Sequence, residues 1–447
     1  MNDCFRIGYG CADITPEEPV PLGGYGNTSF RFFQSIRDKL RASCLALTDA
    51  MDHTVILLEL DALVIDEPFL GAVRNQIHNT LGIAEECVMI CASHSHSAPD
   101  IWNRGEPSIL RYHTLLQERL VAAATQALED RSAATVCYGT VAVPNMNFVK
   151  HYYNVENGEK KFFGDNFGTP VYDDTTDHAT AANPNMHVVQ IVRAEKPEIV
   201  LVNWRAHPHF TGGAKKYDLS ADYIGSYRKA LEAMRPCRAM FFQGCAGNLN
   251  SSTRLKKERQ YSTCDSYGMN LAAKAVECLE KHMTQAQPGL LKHRQRFLTA
   301  PLDHRSDHLL QEAKKVQKLW HETYDLQAAV EMGKPWGIRS PYHANAVVAK
   351  AGRPASMEME INAIAIGPDV AIVTGTEMFD TVSTATEADS PFAMTLTMGY
   401  CNAYRGYLPS LYGFEYTCYE SDVAWFAPGT AELVVKTYLQ MLKELKR

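Results

Sequence analysis

The sequence predicts an α/β fold, in which a single large mixed sheet is flanked by helices and carries a helical insertion. Three observations predict it. Segments rich in β-formers alternate with helical segments along most of the chain. The chain has 447 residues, of which 46% are hydrophobic, enough to bury a large core. No Ser/Gly/Pro-rich linker and no internal repeat divides it, so we expect one domain over residues 1–447.

The first half of the chain supplies most of the predicted strands. In the predicted helix Glu67–Leu81, apolar residues recur at helical spacing. Residues 145–185 are rich in Asn, Gly and Asp and far longer than an ordinary connection, which predicts a functional loop such as a lid or a pocket wall. The other predicted elements are strands Phe5–Thr15, Lys39–Thr48, Thr54–Val64, Cys87–Ala92, Thr135–Val143, His187–Val192 and Glu198–Arg205, and helix Glu106–Glu129.

The second half contains the longest predicted helix, Asp307–Met332, which follows Ser306 as N-cap and ends at Gly333-Lys334-Pro335. Because this helix is charged on most sides, we interpret residues 306–353 as a helical insertion on the outside of the core. The other predicted elements are helices Asp222–Met234, Tyr267–Met283, Glu377–Glu387 and Thr430–Lys446, and strands Arg238–Gln243, Met357–Ile366, Ala371–Thr374 and Ala393–Tyr400.

Charge and hydropathy exclude several classes of protein. With 44 basic and 51 acidic side chains the net charge is −7, and no basic face is available to neutralise phosphates, so we expect no nucleic-acid partner. No window of about 18 apolar residues occurs, so we expect no membrane span. The first residues also lack the basic and apolar regions of a secretory signal. The sequence leaves the oligomeric state open, and a homo-oligomer is compatible with it.

The twelve cysteines do not have the spacing of a zinc site or a disulfide framework. Most lie in apolar or strand-like segments and are expected to be reduced, buried and structural. A reducing compartment, and hence a cytoplasmic location, follows from that interpretation. The cysteines in such segments are Cys11, Cys44, Cys87, Cys91, Cys137, Cys237, Cys245 and Cys278.

Polar residues that could bind a metal ion or take part in catalysis follow the predicted strands. His94 and His96 come directly after an apolar strand, and histidines at i and i+2 of an extended segment lie on one face, where both can approach one ion. The alternative is a pair of hydrogen-bonded loop histidines. His207 likewise follows a strand and precedes a proline.

Three further segments have both a functional and a structural interpretation. The small-residue segment 243–252 could bring backbone N–H groups against a ligand. Glu377 could be a site residue or only an acid in the first turn of a helix, where the macrodipole favours it. The tyrosines of segment 400–407 could line a site or fill a core.

Together these segments resemble the catalytic domain of the neutral/alkaline non-lysosomal ceramidases. The resemblance keeps the same order from residue 8 to about residue 420 and covers most of the chain. The matching segments are Gly8–Pro16, Pro21–Tyr25, Ser93–Pro99, Asn203–Pro208, Ser220–Asp222, Gln243–Asn248, Thr376–Glu377 and Asn402–Tyr404.

The resemblance implies a zinc amidohydrolase in which a metal-bound water is the nucleophile. It implies Zn²⁺ as cofactor, with His94, His207, Glu377 and Tyr407 as ligands. The implied catalytic residues are His96, Tyr419, Asn250 and, as a weaker match to a family arginine, Lys150. Gly24, Tyr25, His209 and Asp222 are candidate substrate-binding residues. For Asp222 the alternative is a turn or cap hydrogen bond, for Gly24 a simple turn, and for His209 an exposed position.

Two departures from the family narrow the expected substrate. Asn250 stands where the ceramidases have a serine, and an amide can donate a hydrogen bond but cannot relay a proton as a hydroxyl does. Ser251 or Ser252 could replace it if the loop shifts. The C-terminal immunoglobulin-like domain of the family is also expected to be absent.

We therefore expect a zinc-dependent hydrolase of an amide bond in a small soluble or single-chain N-acyl substrate. The alternatives are a ceramidase proper, a zinc hydrolase of esters or lactones, and a non-catalytic ligand-binding relative.

Overall fold

The elements below come from a computed structural model that describes residues 5–25, 31–102, 105–164, 171–212, 215–416 and 418–447. The strands are β1 (Phe5–Asp13), β2 (Ser35–Ile36), β3 (Arg41–Thr48), β4 (Thr54–Leu60), β5 (Val88–Ala92), β6 (Ser132–Ala142), β7 (Phe148–Val149), β8 (His151–Glu156), β9 (Glu159–Gly164), β10 (Asp177–His178), β11 (Asn185–Arg193), β12 (Glu198–Trp204), β13 (Asp218–Leu219), β14 (Cys237–Gln243), β15 (Leu249–Asn250), β16 (Thr284–Gln285), β17 (Leu291–Pro301), β18 (Ser356–Ile366), β19 (Val370–Thr374), β20 (Glu377–Met378), β21 (Met394–Met398) and β22 (Tyr407–Leu408). The helices are α1 (Glu67–Leu81), α2 (Pro107–Glu129), α3 (Asp222–Met234), α4 (Cys264–Lys281), α5 (Leu310–Thr323), α6 (Leu326–Gly333), α7 (Pro341–Lys350), α8 (Asp380–Asp389), α9 (Leu411–Glu415), α10 (Tyr419–Val423) and α11 (Thr430–Lys446).

A large mixed sheet forms the centre of the fold, as the sequence predicts. Its strand order is β14-β12-β11-β6-β1-β3-β4-β5, with β16 paired to β6. The β4–β5 and β12–β14 pairs are parallel, whereas β3 is antiparallel to both β1 and β4. The fold class is therefore α/β with a mixed sheet.

A second sheet, of order β17-β18-β19-β21, packs against one face of the large sheet. Alternate residues of a strand point to opposite faces, so each strand contributes to two cores. Leu57 and Leu201 of the large sheet pack with Ile364 and Leu396 of the second sheet in one buried cluster. The two sheets therefore form a sandwich whose apolar interior holds both of them in place.

Helices cover the outer faces of both sheets. On the large sheet, Phe69 of α1 and Leu116 of α2 belong to one buried cluster, and α3 and α4 contribute to another. On the second sheet, Val382 of α8 and Val434 of α11 pack with Val373 of β19. The result is an α-β-β-α arrangement of four layers.

Three predicted helices have the predicted bounds, α1, α3 and α11. The ends of α1 show why. The Asp66 side chain accepts a hydrogen bond from Phe69 N at its start, and Gly82 adopts φ 71° at its end. A carboxylate at the N-cap and a left-handed glycine at the C-terminus are the signals that bound a helix in sequence.

The prediction of one long loop over 145–185 was wrong for residues 145–164 and 171–185, and its remaining part lies outside the described residues. This segment contains the hairpin β8–β9, which is joined to β10 in a three-stranded sheet. Asn157 (φ 54°) and Gly158 (φ 83°) form its turn. An Asn-Gly pair suits a two-residue hairpin because both residues adopt positive φ readily.

The prediction of a single helix over Asp307–Met332 was also wrong. The chain leaves the helical path at Tyr324 (φ 51°), and a new helix starts after Asp325, whose side chain caps Ala328 N. The insertion is thus a group of three helices, α5 to α7, with a small core that includes Trp320 and Val347.

The interpretation of Glu377 as the first turn of a helix was wrong as well. Glu377 lies in β20, which pairs in parallel with β22 so that Glu377 is opposite Tyr407. Phe379 is still extended, with φ −68° and ψ 152°, and α8 begins only at Asp380. The edge strand β17, half exposed and rich in charge, was not predicted.

Four of the eight cysteines expected to be reduced, buried thiols depart from that expectation. Cys91 forms a disulfide with Cys401, Cys11 is exposed, and Cys87 and Cys137 are only partly buried. The other described cysteines are free. Within the described residues, no helix combines the length and the apolar character needed to cross a membrane.

Candidate metal centre and active-site cavity

The ends of several strands meet at one point of the sandwich. The segment that follows β21 connects the two edges of the large sheet there. Gly399 N donates to Gln243 O at the end of β14 (2.9 Å), and Ala92 N at the end of β5 donates to Tyr400 O (2.9 Å). Side chains that follow β5, β12, β19 and β21 are therefore brought together, although they are far apart in sequence.

Two histidines converge on one carboxylate at this point. His94 Nε2 lies 3.4 Å from Glu377 Oε1, and His207 Nε2 lies 3.1 Å from the same oxygen. All three side chains are buried. His96 Nε2 lies 3.3 Å from His94 Nε2, and one ring nitrogen of each of the three histidines lies within 4.8 Å of the others. Three of the four expected metal ligands are thus neighbours, with His96 beside them.

The opposite ring nitrogens of these histidines are held by backbone carbonyls. His94 Nδ1 donates to Leu63 O (2.8 Å), and His207 Nδ1 donates to Leu249 O (2.9 Å). A proton on Nδ1 leaves the Nε2 lone pair free for a cation, an arrangement common to metal-bound histidines. His207 Nε2 is buried and makes no well-aligned hydrogen bond. The donor set therefore fits a metal ion.

Glu377 is held as a carboxylate. Burial alone would raise its pKa, but His94 and His207 outweigh burial and hold the pKa of Glu377 well below its usual range. Tyr404 donates to Glu377 Oε2 (2.5 Å), and Tyr400 donates to Oε1 (3.3 Å). Both carboxylate oxygens thus have fixed partners.

Tyr407, the fourth expected ligand, lines the same cavity. The β20–β22 pairing places its backbone opposite Glu377. The tyrosine hydroxyl that contacts Glu377 Oε2, however, belongs to Tyr404, which had no predicted role although its segment resembles the ceramidases. Tyr404 therefore supports the candidate ligand Glu377.

We expect Tyr404→Phe to lower zinc affinity by about 10–100-fold, because groups that orient metal ligands contribute effects of that size. Competition with a chelator of known affinity measures it. Tyr9→Phe, which removes a hydroxyl that contacts Ser43 and does not line the cavity, is the control and should leave the affinity unchanged. Equal affinities for the Tyr404 and Tyr9 variants would contradict this role.

Three residues at or beside the centre have strained backbone. His94 (φ 64°), Tyr400 (φ 52°) and Asn402 (φ 62°) all adopt the left-handed conformation, which costs residues other than glycine. The Tyr400 ring also stacks on the His94 ring, with centroids 3.9 Å apart. The left-handed backbone at His94 and the stacked ring of Tyr400 together orient the imidazole of His94.

Gly24 and Tyr25, two predicted substrate-binding residues, line the cavity beside His96. A Cβ atom on Gly24 (φ 98°) would lie 2.5 Å from His96 Cγ, so only glycine fits there. Tyr25 donates to His209 O (2.9 Å). His209, another predicted substrate-binding residue, also lines the cavity.

Lys150 and Tyr419 also line the cavity. Lys150 Nζ lies 2.7 Å from Glu420 Oε1 and 5.5 Å from the centre of the Tyr407 ring. Glu420 also accepts a hydrogen bond from His151 Nε2 (2.8 Å). The carboxylate of Glu420 thus pairs with two buried cations and fixes the position of Lys150.

The group His151, Cys418 and Glu420 is a second set of buried donor atoms within 4.8 Å of one another. The Glu420 carboxylate in this set is already paired with the Lys150 ammonium. We therefore assign the group to the support of Lys150.

Asn250 lies in the cavity wall and forms a parallel bridge with His207. Ser252 also lines the cavity, whereas the Ser251 hydroxyl lies 3.4 Å from His209 Nδ1. The amide of Asn250 thus occupies the wall next to the candidate metal ligands, with Ser252 further along the same loop.

Asp222 does not line the cavity. It is fully buried and accepts hydrogen bonds from Thr211 N (2.9 Å) and the Thr211 hydroxyl (2.8 Å). Burial raises its pKa. The expectation of direct substrate contact was therefore wrong, and its predicted alternative, a turn-supporting hydrogen bond, describes what the residue does.

The cavity has a volume of about 870 Å³ and a mixed lining. Sequence reasoning missed several of its lining residues because they come from separate parts of the chain without a motif. Tyr342 comes from α7, so the helical insertion contributes to the wall instead of packing only outside the core. The other missed lining residues include Trp102, Phe210, Arg254 and Arg259.

Comparison with solved structures identifies two similar folds. The crystal structure of neutral ceramidase from Pseudomonas aeruginosa has a TM-score of 0.72 at 18% sequence identity, and the match covers 99% of this chain and 74% of that chain. A ceramidase complexed with C2 has a TM-score of 0.70 at 17% identity, covering 99% and 75% of the two chains. No protein-family model and no curated protein matches the sequence. The chain therefore has a ceramidase-like fold.

Proposed function

We propose that the protein is a zinc-dependent hydrolase that cleaves the amide bond of a small soluble or single-chain N-acyl substrate. The single observation that carries this proposal is the convergence of His94 Nε2 and His207 Nε2 on Glu377 Oε1 at the wall of a cavity. Two imidazoles and one carboxylate are a common ligand set of catalytic zinc. The ceramidase-like fold supports amide hydrolysis as the reaction.

In this proposal His94, His207, Glu377 and Tyr407 hold the zinc ion. When bound, zinc polarises the scissile carbonyl and lowers the pKa of a coordinated water toward about 7. The Nδ1 contacts of the two histidines and the Tyr404 contact of Glu377 keep these ligands oriented. The protein thus supplies a preorganised ligand set, which lowers the cost of binding the ion.

His96 is placed to donate a hydrogen bond to the substrate. Burial and the neighbouring His94 and His207 hold the pKa of His96 well below its ordinary range, so its imidazole is neutral at pH 7. An imidazole of such low basicity is a poor general base, but its N–H can stabilise negative charge on the substrate oxygen.

Lys150, Tyr419 and Asn250 are placed to stabilise negative charge on the substrate oxygen. The Glu420 carboxylate pairs with the Lys150 ammonium and holds it at the cavity. Burial raises the pKa of Tyr419, so its hydroxyl keeps its proton and donates a hydrogen bond. Preorganised donors of this kind act most strongly on the charge that develops in the transition state.

The cavity has room for a single-chain N-acyl substrate. A volume of about 870 Å³ is within the range of small-molecule sites. Its walls mix aromatic rings, such as Tyr25, Trp102 and Phe210, with charged groups. We further propose that the protein acts without a nucleic-acid partner, in keeping with its net charge of −7. We also propose that it acts in the cytoplasm, because nine of the described cysteines are free although Cys91 and Cys401 are bonded.

The test combines metal analysis with an assay of amine release from N-hexanoyl amines. We expect activity that a chelator removes and stoichiometric zinc restores. Purified protein without stoichiometric zinc would instead favour a non-catalytic binding protein. Zinc with cleavage of the matched hexanoyl esters, but not of the amides, would favour an esterase.

A further inference from the structure

A row of three tyrosine rings runs along one wall of the cavity. The rings of Tyr407 and Tyr419 meet edge to face with their centroids 5.9 Å apart, and those of Tyr419 and Tyr342 meet in the same way at 6.3 Å. All three side chains line the cavity, and each residue is half-buried. The row therefore presents an aromatic surface to a molecule in the cavity.

One end of the row lies at the candidate metal centre. The β20–β22 pairing places Tyr407 opposite the candidate ligand Glu377. The Lys150 ammonium lies 5.5 Å from the centre of the Tyr407 ring, so this end of the wall is also charged. A substrate whose scissile amide lies at the metal centre therefore meets the row first at Tyr407.

The other end of the row belongs to the helical insertion. Tyr342 is the second residue of α7, and its ring packs edge to face on Trp320 of α5, with the centroids 5.8 Å apart. Trp320 is buried in the small core of the insertion. Aromatic rings offer a largely apolar surface, so this end suits a hydrocarbon chain. Because close-packed cores resist displacement, Trp320 also prevents Tyr342 from moving away from the cavity.

Polar contacts at both ends of α7 hold it against α10, the helix that begins with the middle tyrosine of the row. Arg339 Nε, just before α7, donates to Asp422 Oδ2 (2.7 Å). Lys350 Nζ, at the end of α7, donates to Ala424 O (3.0 Å). The last ring of the row is thus fixed in position relative to the middle one.

We propose that the row binds the acyl chain of the substrate and that Tyr342 is a specificity-determining residue that limits the length of this chain. With the scissile carbonyl at the Tyr407 end, the chain lies across the Tyr419 ring and ends at Tyr342. Each methylene placed on the row leaves water and adds to binding, until the fixed ring of Tyr342 stops the chain. This inference rests on the proposed amide hydrolysis and adds to it the size of the acyl group.

Amides of butylamine with acyl chains from butanoyl to hexadecanoyl test the inference, at concentrations below micelle formation. Among the shorter chains we expect kcat/KM to rise about fourfold for each added methylene, since burial of one methylene contributes at that level. The rise should stop at a chain length within the series. A rise that continues through hexadecanoyl, or one that follows the length of the amine in N-hexanoyl amides instead, overturns the inference.

Substitutions then assign the length limit to Tyr342. Tyr342→Ala should move the limit by about two or more methylenes, because the removed ring leaves room for them. Tyr342→Trp should move it to a shorter chain, and Tyr342→Phe, which keeps the ring, should leave it unchanged. Tyr324→Ala is the matched control. Tyr324 packs on Trp320 (centroids 5.5 Å apart) but does not line the cavity, so this variant should keep the limit of the wild type.

Two failures are distinguishable. The same length limit in the wild type, Tyr342→Ala and Tyr342→Trp overturns this inference and leaves the amide hydrolase in place. The absence of hydrolysis for every amide contradicts the proposed function. In that event, calorimetric binding of the same amides still tests the row, because affinity should rise with acyl length up to a limit that Tyr342→Ala moves. If Tyr342→Ala does not fold, as judged by circular dichroism, the shorter limit expected for Tyr342→Trp decides.

Discussion

His207→Ala is expected to yield a folded protein without stoichiometric zinc and with amide hydrolysis reduced more than about a thousandfold. The substitution removes a ring nitrogen that lies 3.1 Å from Glu377 Oε1. It also leaves the Glu377 carboxylate buried with one fewer partner. His94→Ala and Glu377→Ala should have the same two effects, because each removes one ligand from the same set.

His113→Ala is the matched control for this experiment. His113 is also buried, but it contacts Ile101 O (2.7 Å) and does not line the cavity. Loss of stability without loss of zinc is expected for this variant. Full zinc occupancy in His94→Ala or His207→Ala, measured by elemental analysis, would contradict the ligand assignment.

The largest expected effect on stability is that of Glu420→Gln, at about 3–5 kcal/mol in the free energy of unfolding. Glu420 Oε1 lies 2.7 Å from Lys150 Nζ, Oε2 accepts from His151, and all three residues are buried. Removal of the carboxylate charge leaves two cations buried together without their shared partner. Urea denaturation followed by circular dichroism measures the change.

The control is Glu18→Gln. Glu18 pairs with Arg111 on the surface, where solvent screens the charge, so this variant should unfold like the wild type. Equal unfolding midpoints for Glu420→Gln and Glu18→Gln would show that the Lys150–Glu420–His151 cluster contributes no net stability.

The contribution of Glu420 should also depend on pH. Lys150 and His151 outweigh burial and lower the pKa of Glu420 from its usual 4.5, so its contribution is present above that value and lost as pH falls. Burial disfavours the His151 imidazolium, but Cys418 and Glu420 raise its pKa from 6.5 to about 10. Its contribution is therefore full below pH 6.5 and lost as pH rises through 10. The free energy of unfolding of the wild type should exceed that of Glu420→Gln by the largest margin between pH 4.5 and 6.5.

Much of the fold follows from local signals in the sequence. Helix α1 was predicted at its observed bounds from the spacing of its apolar residues, and in the structure an N-cap aspartate and a terminal glycine enclose the same segment. The β8–β9 hairpin was missed although Asn157-Gly158 marks its turn, since only the first two residues of β8 and none of β9 are buried. The break at Tyr324 was missed because no glycine or proline marks it.

The candidate site was predictable to the extent that its residues follow strands. His94 and His207 come directly after apolar strands, and the family resemblance linked them to Glu377 and Tyr407. The contacts of Tyr400 and Tyr404 with Glu377 depend on the route of the chain after β21, which no local pattern reveals. The same holds for Tyr342, which reaches the cavity only because α7 packs beside it.

The most direct test of the metal centre is a crystal of the purified protein measured on both sides of the zinc absorption edge. We predict one anomalous peak per chain, bounded by His94, His207, Glu377 and Tyr407. A peak at His151, Cys418 and Glu420 instead, or no peak in crystals grown with zinc, would contradict the central claim.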